Sequence, residues 1–287
     1  MTFNELALAH EPVIRLGAFF GTFALVAIWE AVAPRRVRLV PRRTRWLHNL
    51  ALVVLNSLLL RVLFPVAAVE FAVLAAGRGW GLLNAIEVPF WWQLALSVIA
   101  LDFAIYLQHV LFHAVPLLWR VHRIHHADPD IDVTTGARFH PIEIVLSMTI
   151  KFAAIALLGT PAAAVLVFEV LLNAAATFNH ANLRLPESVD RFLRWMLVTP
   201  DMHRIHHSIE AFEANSNFGF NLPWWDRVFG TYRAHAHLPQ ESMAIGVAGI
   251  TGSENAIKLS GLLIIPFAEA GSGYAIGSTP EPGHEAR

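Results

Sequence analysis

Long apolar runs separated by short polar segments make up most of the first two thirds of the chain. Three runs, residues 13–33, 47–76 and 90–114, are long enough to cross a hydrocarbon core of about 30 Å at 1.5 Å per helical residue, the second with tilt or a kink at Pro65. A fourth run, residues 144–176, is interrupted halfway by Gly159-Thr160-Pro161. This pattern predicts membrane-spanning helices.

Six arginines follow the first apolar run, between residues 35 and 45. Because loops rich in arginine and lysine face the cytoplasm, this segment predicts a cytoplasmic loop and an N-terminus on the outside. We interpret it as a solvated basic loop with no role beyond topology. The arginines are Arg35, Arg36, Arg38, Arg42, Arg43 and Arg45.

The interruption at Gly159-Pro161 decides the topology of the fourth run. A single crossing would put the histidine-rich segments before and after it on opposite sides of the membrane, whereas a hairpin keeps them together. Lys151 and Glu169 are each nine residues from Thr160, so a hairpin places them at equal depth, where an ion pair relieves the cost of burying each charge. We therefore predict an all-α, multi-pass membrane helical bundle of about four spans, the last pair a hairpin turning at Gly159-Pro161.

The chain after residue 178 is polar enough to form a cytoplasmic, histidine-lined cap over the helices. Residues 189–198 have helical apolar spacing, with Arg191 and Arg194 on the opposite face, and predict a helix lying along the membrane interface. Residues 259–267 are too few to span, so we expect them to pack on the cap or dip into the headgroups. We predict one integral-membrane domain over residues 1–270, with a histidine core at 102–232, and a disordered tail at 271–287, which is rich in Gly, Ser and Pro.

Composition narrows the class of protein and of site. With 55% hydrophobic and 15% charged residues, the chain is too apolar for an ordinary soluble domain. The formal net charge of -1 argues against nucleic acid as a partner. The chain has no cysteine, so any metal must be held by histidine, carboxylate or backbone groups.

Eight histidines fall in three short motifs, one His-x-x-x-His pair and two sets with the spacing His-x-x-His-His. On an α-helix, positions i, i+3 and i+4 share a face, so each motif presents its imidazoles together. Neutral imidazole is the commonest side-chain metal ligand. Ten imidazoles are too many for one octahedral ion, and the set therefore indicates two ions. The set comprises His109, His113, His122, His125, His126, His140, His180, His203, His206 and His207.

Asp102 lies on the same helical stripe as His109 and His113. An ionisable group within a membrane span is costly and indicates a functional role. We expect the Asp102 carboxylate to hold a histidine by its second ring nitrogen, as carboxylates near metal sites do.

Two other classes of membrane protein remain as alternatives at this point. A histidine-liganded metal transporter would place its site near the bilayer midplane on broken helices, whereas these motifs follow the helices. A haem-binding protein with two axial histidines is compatible with a single pair, but it leaves eight histidines unexplained.

The order and spacing of the motifs, with ARFHPIE after the first triple and WWDRVFGTY after the second, resemble the fatty acid hydroxylase (sterol desaturase) superfamily of integral-membrane di-iron oxidoreductases. The resemblance implies a four-helix membrane fold under a cytoplasmic cap. It also implies two non-haem iron ions that use O2 and two electrons to hydroxylate, or desaturate, a lipid such as a sterol, fatty acyl or ether lipid. Nine of the ten histidines fall at ligand positions, and for His140 the choice between ligand and hydrogen-bonding neighbour stays open.

The resemblance also implies a source of electrons. The sequence contains no cytochrome-like extension and no flavin or iron–sulfur motif, so we expect a separate electron-transfer partner. Four arginines near the histidines would dock an acidic carrier, bind lipid headgroups, or act only as positive-inside residues, the interpretation that we favour. They are Arg120, Arg123, Arg138 and Arg204.

Overall fold

The computed structural model describes residues 3–268 together with Tyr274 and Ile276. Within that part the protein is helical and has no strand, only isolated bridges from Pro34 to Leu183 and from Ser208 to Ile245. The helices are α1 Phe3–Ala9, α2 Glu11–Val32, α3 Arg42–Leu63, α4 Ala68–Gly77, α5 Phe90–Ala114, α6 Pro116–His126, α7 Pro141–Leu158, α8 Ala162–Asn179, α9 Glu187–Leu193, α10 Pro200–His206, α11 Ala211–Ala214, α12 Trp224–Val228 and α13 Leu259–Ile264.

Five helical segments in the described residues are long and apolar enough to cross a membrane, one more than the predicted number. They are α2, the pair α3 and α4, α5, α7 and α8. The break between α3 and α4 lies at Pro65, where the missing N–H and fixed ring end the helix. The predicted third run coincides with α5.

The hairpin prediction is confirmed in its geometry. Gly159 adopts a left-handed φ of 72° at the end of α7, and an added Cβ would lie 2.8 Å from the Trp80 carbonyl oxygen. The Lys151 ammonium contacts Glu169 at 2.6 Å, as expected, and Arg15 on α2 contacts the other oxygen of the same carboxylate at 2.6 Å. The arms of the hairpin are therefore joined by charge, and α4 and α5 pack against both arms.

Helix α8 lies at the centre of the bundle. Its first turns, from Ala162 to Leu166, are buried against neighbouring helices, and Phe168 is fully buried. Small alanine side chains let the backbones approach closely, which favours helix association in a membrane. The far end of α8 delivers His180 to the other histidines.

The interpretation of the basic loop as solvated is wrong for Arg45. This residue is buried at the start of α3, where it contacts Asp128 at 2.6 Å and also Asp132. Arg38 and Arg42 contact the buried Glu30 on α2 at 2.8 and 2.9 Å. The loop therefore ties the membrane helices to the segment that follows α6, an arrangement that local sequence does not reveal.

The expected role of the arginines near the histidines also changes. Arg123, Arg138 and Arg204 are buried and donate to backbone carbonyl groups, those of Ala268, Ile124 and Ala181 among them. Only Arg120 is exposed, and it donates to the Pro266 carbonyl at 2.7 Å. The three buried arginines hold the cap together and are not available to dock a carrier or bind headgroups.

The two amphipathic segments of the cap differ in outcome. The expected helix over 189–198 is shorter, because α9 ends at Leu193, and Arg194 is buried in a 2.7 Å ion pair with Asp190. Residues 259–267 pack on the cap, with Leu262 and Ile265 buried in the cluster that also contains Ile124. The predicted tail at 271–287 lies outside the described residues, except that Tyr274 is buried and stacks on Trp119 at 5.6 Å.

Candidate metal centre

Nine of the predicted histidines converge in two buried groups. In each group the candidate ligand nitrogens all lie within 4.8 Å of one another. The side chains come from the end of α5, from α6, from the end of α8 and from α10 with the residue after it. The first group contains His109, His113, His122, His126 and His206, and the second contains His125, His180, His203 and His207.

Consecutive histidines point into different groups. His125 belongs to the second group and His126 to the first, while His206 belongs to the first and His207 to the second. Successive residues on a helix are turned by about 100°, so each His-His pair serves both groups. The rings of His126 and His207 stack with centroids 4.5 Å apart, so the two groups adjoin.

Backbone carbonyl groups fix the orientation of several rings. The Nδ1 atom of His109 lies 2.8 Å from the Phe218 oxygen, and the Nδ1 atom of His206 lies 2.8 Å from the Ser216 oxygen. A carbonyl can only accept a hydrogen bond, so both Nδ1 atoms carry a proton and both neutral rings leave Nε2 as an acceptor. His180 is held in the same way, by the Ala176 oxygen at 2.8 Å.

This orientation brings acceptor nitrogens together and fits a bound metal ion. The Nε2 atoms of His109 and His206 face each other at 3.0 Å with no proton between them in the neutral rings. Burial lowers the pKa of His206 well below its usual range and that of His180 to about 4, so a second proton on these rings is disfavoured. A cation between the lone pairs removes the repulsion, and the residues present therefore suit a metal.

Glu143 is a site residue that the sequence analysis missed. Its buried carboxylate accepts a hydrogen bond from His122 Nδ1 at 2.7 Å, and His122 Nε2 is left without a hydrogen-bond partner, as expected of a metal ligand. The only sequence signal was the position of Glu143 within ARFHPIE, three residues after His140.

The expected role of Asp102 is wrong. Its Oδ2 atom accepts a hydrogen bond from the Trp225 indole at 2.8 Å, and the side chain faces the segment around α12 rather than a histidine ring. Asp226 was also missed. It accepts from the backbone N–H groups of Phe218 and Gly219 at 2.7 and 2.8 Å, and so fixes the loop whose carbonyl orients His109.

His140 lies outside both groups. It is the N-cap of α7, where its Nδ1 atom accepts from the Ile142 N–H at 3.2 Å, while Nε2 lies 3.4 Å from the Leu263 oxygen. Pro141 fixes the start of α7, and the ring of His140 is directed toward the 259–267 segment. Of the two roles left open for His140, the structure supports neither direct ligation nor contact with a ligand.

A cavity of about 320 Å³ extends from the histidines between α3, α5, α7 and α8. His109, His122 and His125 lie on its wall at one end. Apolar side chains such as Leu60, Ile105, Phe112 and Leu172 form much of the rest, with a few polar groups among them. A cavity of this size and lining suits the apolar chain of a lipid.

Matches to known proteins cover the same region. The family described as Fatty acid hydroxylase matches residues 94–231. The chain is 30% identical over 193 residues to the ornithine lipid hydroxylase of Rhizobium tropici, a match covering 67% of this chain and 56% of that one. It is 30% identical over 159 residues to the alkylglycerol monooxygenase of Xenopus tropicalis, covering 53% and 34%.

A third relative, a fatty acid hydroxylase of a Lecanicillium species, is 30% identical over 158 residues, covering 49% of this chain and 43% of that one. The chain therefore spans between about a third and little more than half of the length of these relatives. No solved structure matches.

Proposed function

We propose that this chain, which belongs to the fatty acid hydroxylase superfamily, is a membrane-bound di-iron oxidoreductase that hydroxylates or desaturates a lipid. The observation that carries the proposal is the pair of adjoining histidine groups at the end of an apolar cavity. Relatives named for the hydroxylation or monooxygenation of lipids support the same class of reaction.

Each histidine group would hold one iron ion. Bound iron would supply the activation of O2. The protein contributes orientation: Phe218, Ser216 and Ala176 carbonyl groups and the Glu143 carboxylate hold the outer ring nitrogens, so the inner ones are directed to the metal positions before metal arrives. Burial of all nine rings keeps water from the reacting centre.

The substrate would enter as an acyl or alkyl chain lying along the cavity. Walls from four helices confine the chain, and the position at which it passes His109, His122 and His125 would determine which carbon reacts. We propose a polar lipid as substrate, since relatives are named for ornithine lipids, alkylglycerols and fatty acids. Electrons would come from a separate carrier protein.

The orientation in the membrane is part of the proposal. With the N-terminus outside, five crossings would put the arginine-rich segment at 35–45 and both His-His pairs on the cytoplasmic side. The haem alternative has less support, because two axial ligands would use only two of the nine convergent imidazoles. The metal-transporter alternative has less support, because the histidine groups lie at helix ends and not near the bilayer midplane.

The test is the metal content and absorption spectrum of detergent-purified protein, with one variant for each group. We expect about two irons per chain and no haem band in the wild type, and loss of iron and of lipid product in His125→Ala and His206→Ala. His48→Ala, a histidine on α3 outside both groups, is the control and should keep its iron. A haem band, or no bound metal after iron-replete growth, would contradict the proposal.

A further inference from the structure

Three buried oxygen atoms on the cavity wall have no hydrogen-bond partner: Asn56 Oδ1, Gln108 Oε1 and Glu143 Oε2. We propose that the cavity selects lipids carrying a hydrogen-bond donor, a hydroxyl or amide N–H, which donates to either of two acceptors, Asn56 Oδ1 or Gln108 Oε1, while the chain reaches the histidines. This inference rests on the proposed function, because it concerns the substrate of the same site.

The orientation of the Asn56 amide is unambiguous. Its Nδ2 atom lies 2.8 Å from the Phe139 carbonyl oxygen, and a carbonyl cannot donate, so the nitrogen is fixed there and Oδ1 is left as an acceptor. Asn56 is 5% exposed, so the bulk solvent does not satisfy that oxygen. The Phe139 ring stacks on His125 with centroids 4.6 Å apart, which places the acceptor beside the second histidine group.

Gln108 presents a second acceptor from α5. Its Nε2 atom donates to Ser147 Oγ on α7 at 2.7 Å, which leaves Oε1 without a partner. Gln108 directly precedes His109, and Ser147 is four residues, or about 6 Å along the helix, from Glu143. Both acceptors therefore lie near the end of the cavity that contains the histidines.

Apart from the histidines, two other polar groups of the wall are already engaged. The Ser57 hydroxyl donates to the Val53 carbonyl at 2.8 Å, and the Lys151 ammonium is held by Glu169 at 2.6 Å. The unsatisfied oxygen atoms of Asn56 and Gln108 are acceptors, and a substrate without a donor would leave both buried and unpaired. Sites built in this way reject analogues that lack the hydrogen-bonding group.

The experiment compares matched lipids in binding, independently of turnover. Two pairs differ in one donor: N-methylhexadecanamide against methyl hexadecanoate, and hexadecan-1-ol against 1-methoxyhexadecane. Affinities for the purified holoprotein are measured in the same detergent micelles. In each pair, we expect the lipid with the donor to bind the wild type about five- to tenfold tighter than the lipid without it, as one hydrogen bond allows.

Variants of Asn56 and Gln108 test whether their side-chain amides cause the preference for a lipid with a hydrogen-bond donor. Gln108→Leu should reduce the preference, and the Asn56→Leu/Gln108→Leu double variant should abolish it, whereas the control Ser57→Ala should retain it in full. Because each lipid pair is compared across variants, differences in partition into micelles cancel. If the double variant fails to fold, Gln108→Leu alone still decides, since the Gln108 amide is bonded to Ser147, whereas that of Asn56 is bonded to the Phe139 backbone beside His125.

Equal affinities within each pair in the wild type, or a preference unchanged in Gln108→Leu, would overturn the inference. Iron content measured on the same samples separates it from the proposed function. Two irons without donor preference would refute the inference alone. Donor preference in a protein that binds no iron would refute the di-iron function and leave the lipid site standing.

Discussion

Replacement of Glu143 tests whether the carboxylate prepares the first histidine group for metal. The contact from His122 Nδ1 is 2.7 Å long and both side chains are buried, which makes it a strong, charge-assisted hydrogen bond. Loss of such partners in other metal sites lowers metal affinity by about 10- to 100-fold, or roughly 1.4 to 2.7 kcal/mol.

Two variants of Glu143 should fall at the lower and upper ends of that range of affinity loss. Glu143→Gln keeps an oxygen that can accept the Nδ1 proton but removes the charge, so we expect a loss of about tenfold. Glu143→Leu removes the acceptor altogether and leaves the His122 ring unheld, so the loss should approach about 100-fold. Glu254→Gln, at an exposed ion pair with Lys258, is the matched control and should bind iron as the wild type does.

Affinity would be measured by anaerobic competition for Fe(II) between the purified protein and a chelator. His122→Ala provides the reference for loss of the ligand itself. If Glu143→Leu binds iron with wild-type affinity while His122→Ala is impaired, the carboxylate does not orient the ring, and the reasoning from the hydrogen bond is refuted.

Three further predictions concern charge, capping and pH. Glu169→Gln should lower the stability in detergent by about 3 kcal/mol, because it leaves the buried Lys151 ammonium without its anion. Lys151→Met should cost less, and the Lys151→Met/Glu169→Gln double variant should recover part of the loss. An equal effect of the two single variants would contradict the charge argument. His140→Ala should retain two irons per chain and lose about 0.5 to 2 kcal/mol of stability, because the variant lacks the N-cap of α7. A loss of iron in this variant would instead identify His140 as a ligand. Burial lowers the pKa of His180 to about 4, so at acid pH the unfolded chain binds more protons than the folded one. The melting temperature of the metal-free protein should therefore fall as the pH drops from about 6.5 toward 4. A melting temperature that does not change over this range would show that the rings are hydrated.

The hairpin between α7 and α8 shows which features can be predicted from spacing along one segment of sequence. Apolar length, Gly159 and the equal spacing of Lys151 and Glu169 sufficed to predict the turn and the ion pair, because all are set by distance along one continuous segment. Arg15, the third member of that charge network, comes from α2 and was not predicted, because which helix packs beside α8 is not encoded by spacing.

For the histidines too, spacing within one segment predicted some features, and helix packing decided the others. Their periodicity indicated that each motif presents its rings on one helical face, and their number indicated two ions. The assignment of His125 and His126 to different groups, and of His206 and His207 likewise, became evident only when α5, α6, α8 and α10 were brought together.

The sequence by itself determined the helical class, the hairpin and the three histidine motifs, because each depends on apolar length or on periodicity within a single segment. The tertiary structure alone decided that Glu143 rather than Asp102 holds a histidine ring, that His140 caps a helix, and that Arg45 is buried. These outcomes depend on which faces of distant helices meet, and a side chain acquires its partner only from that packing.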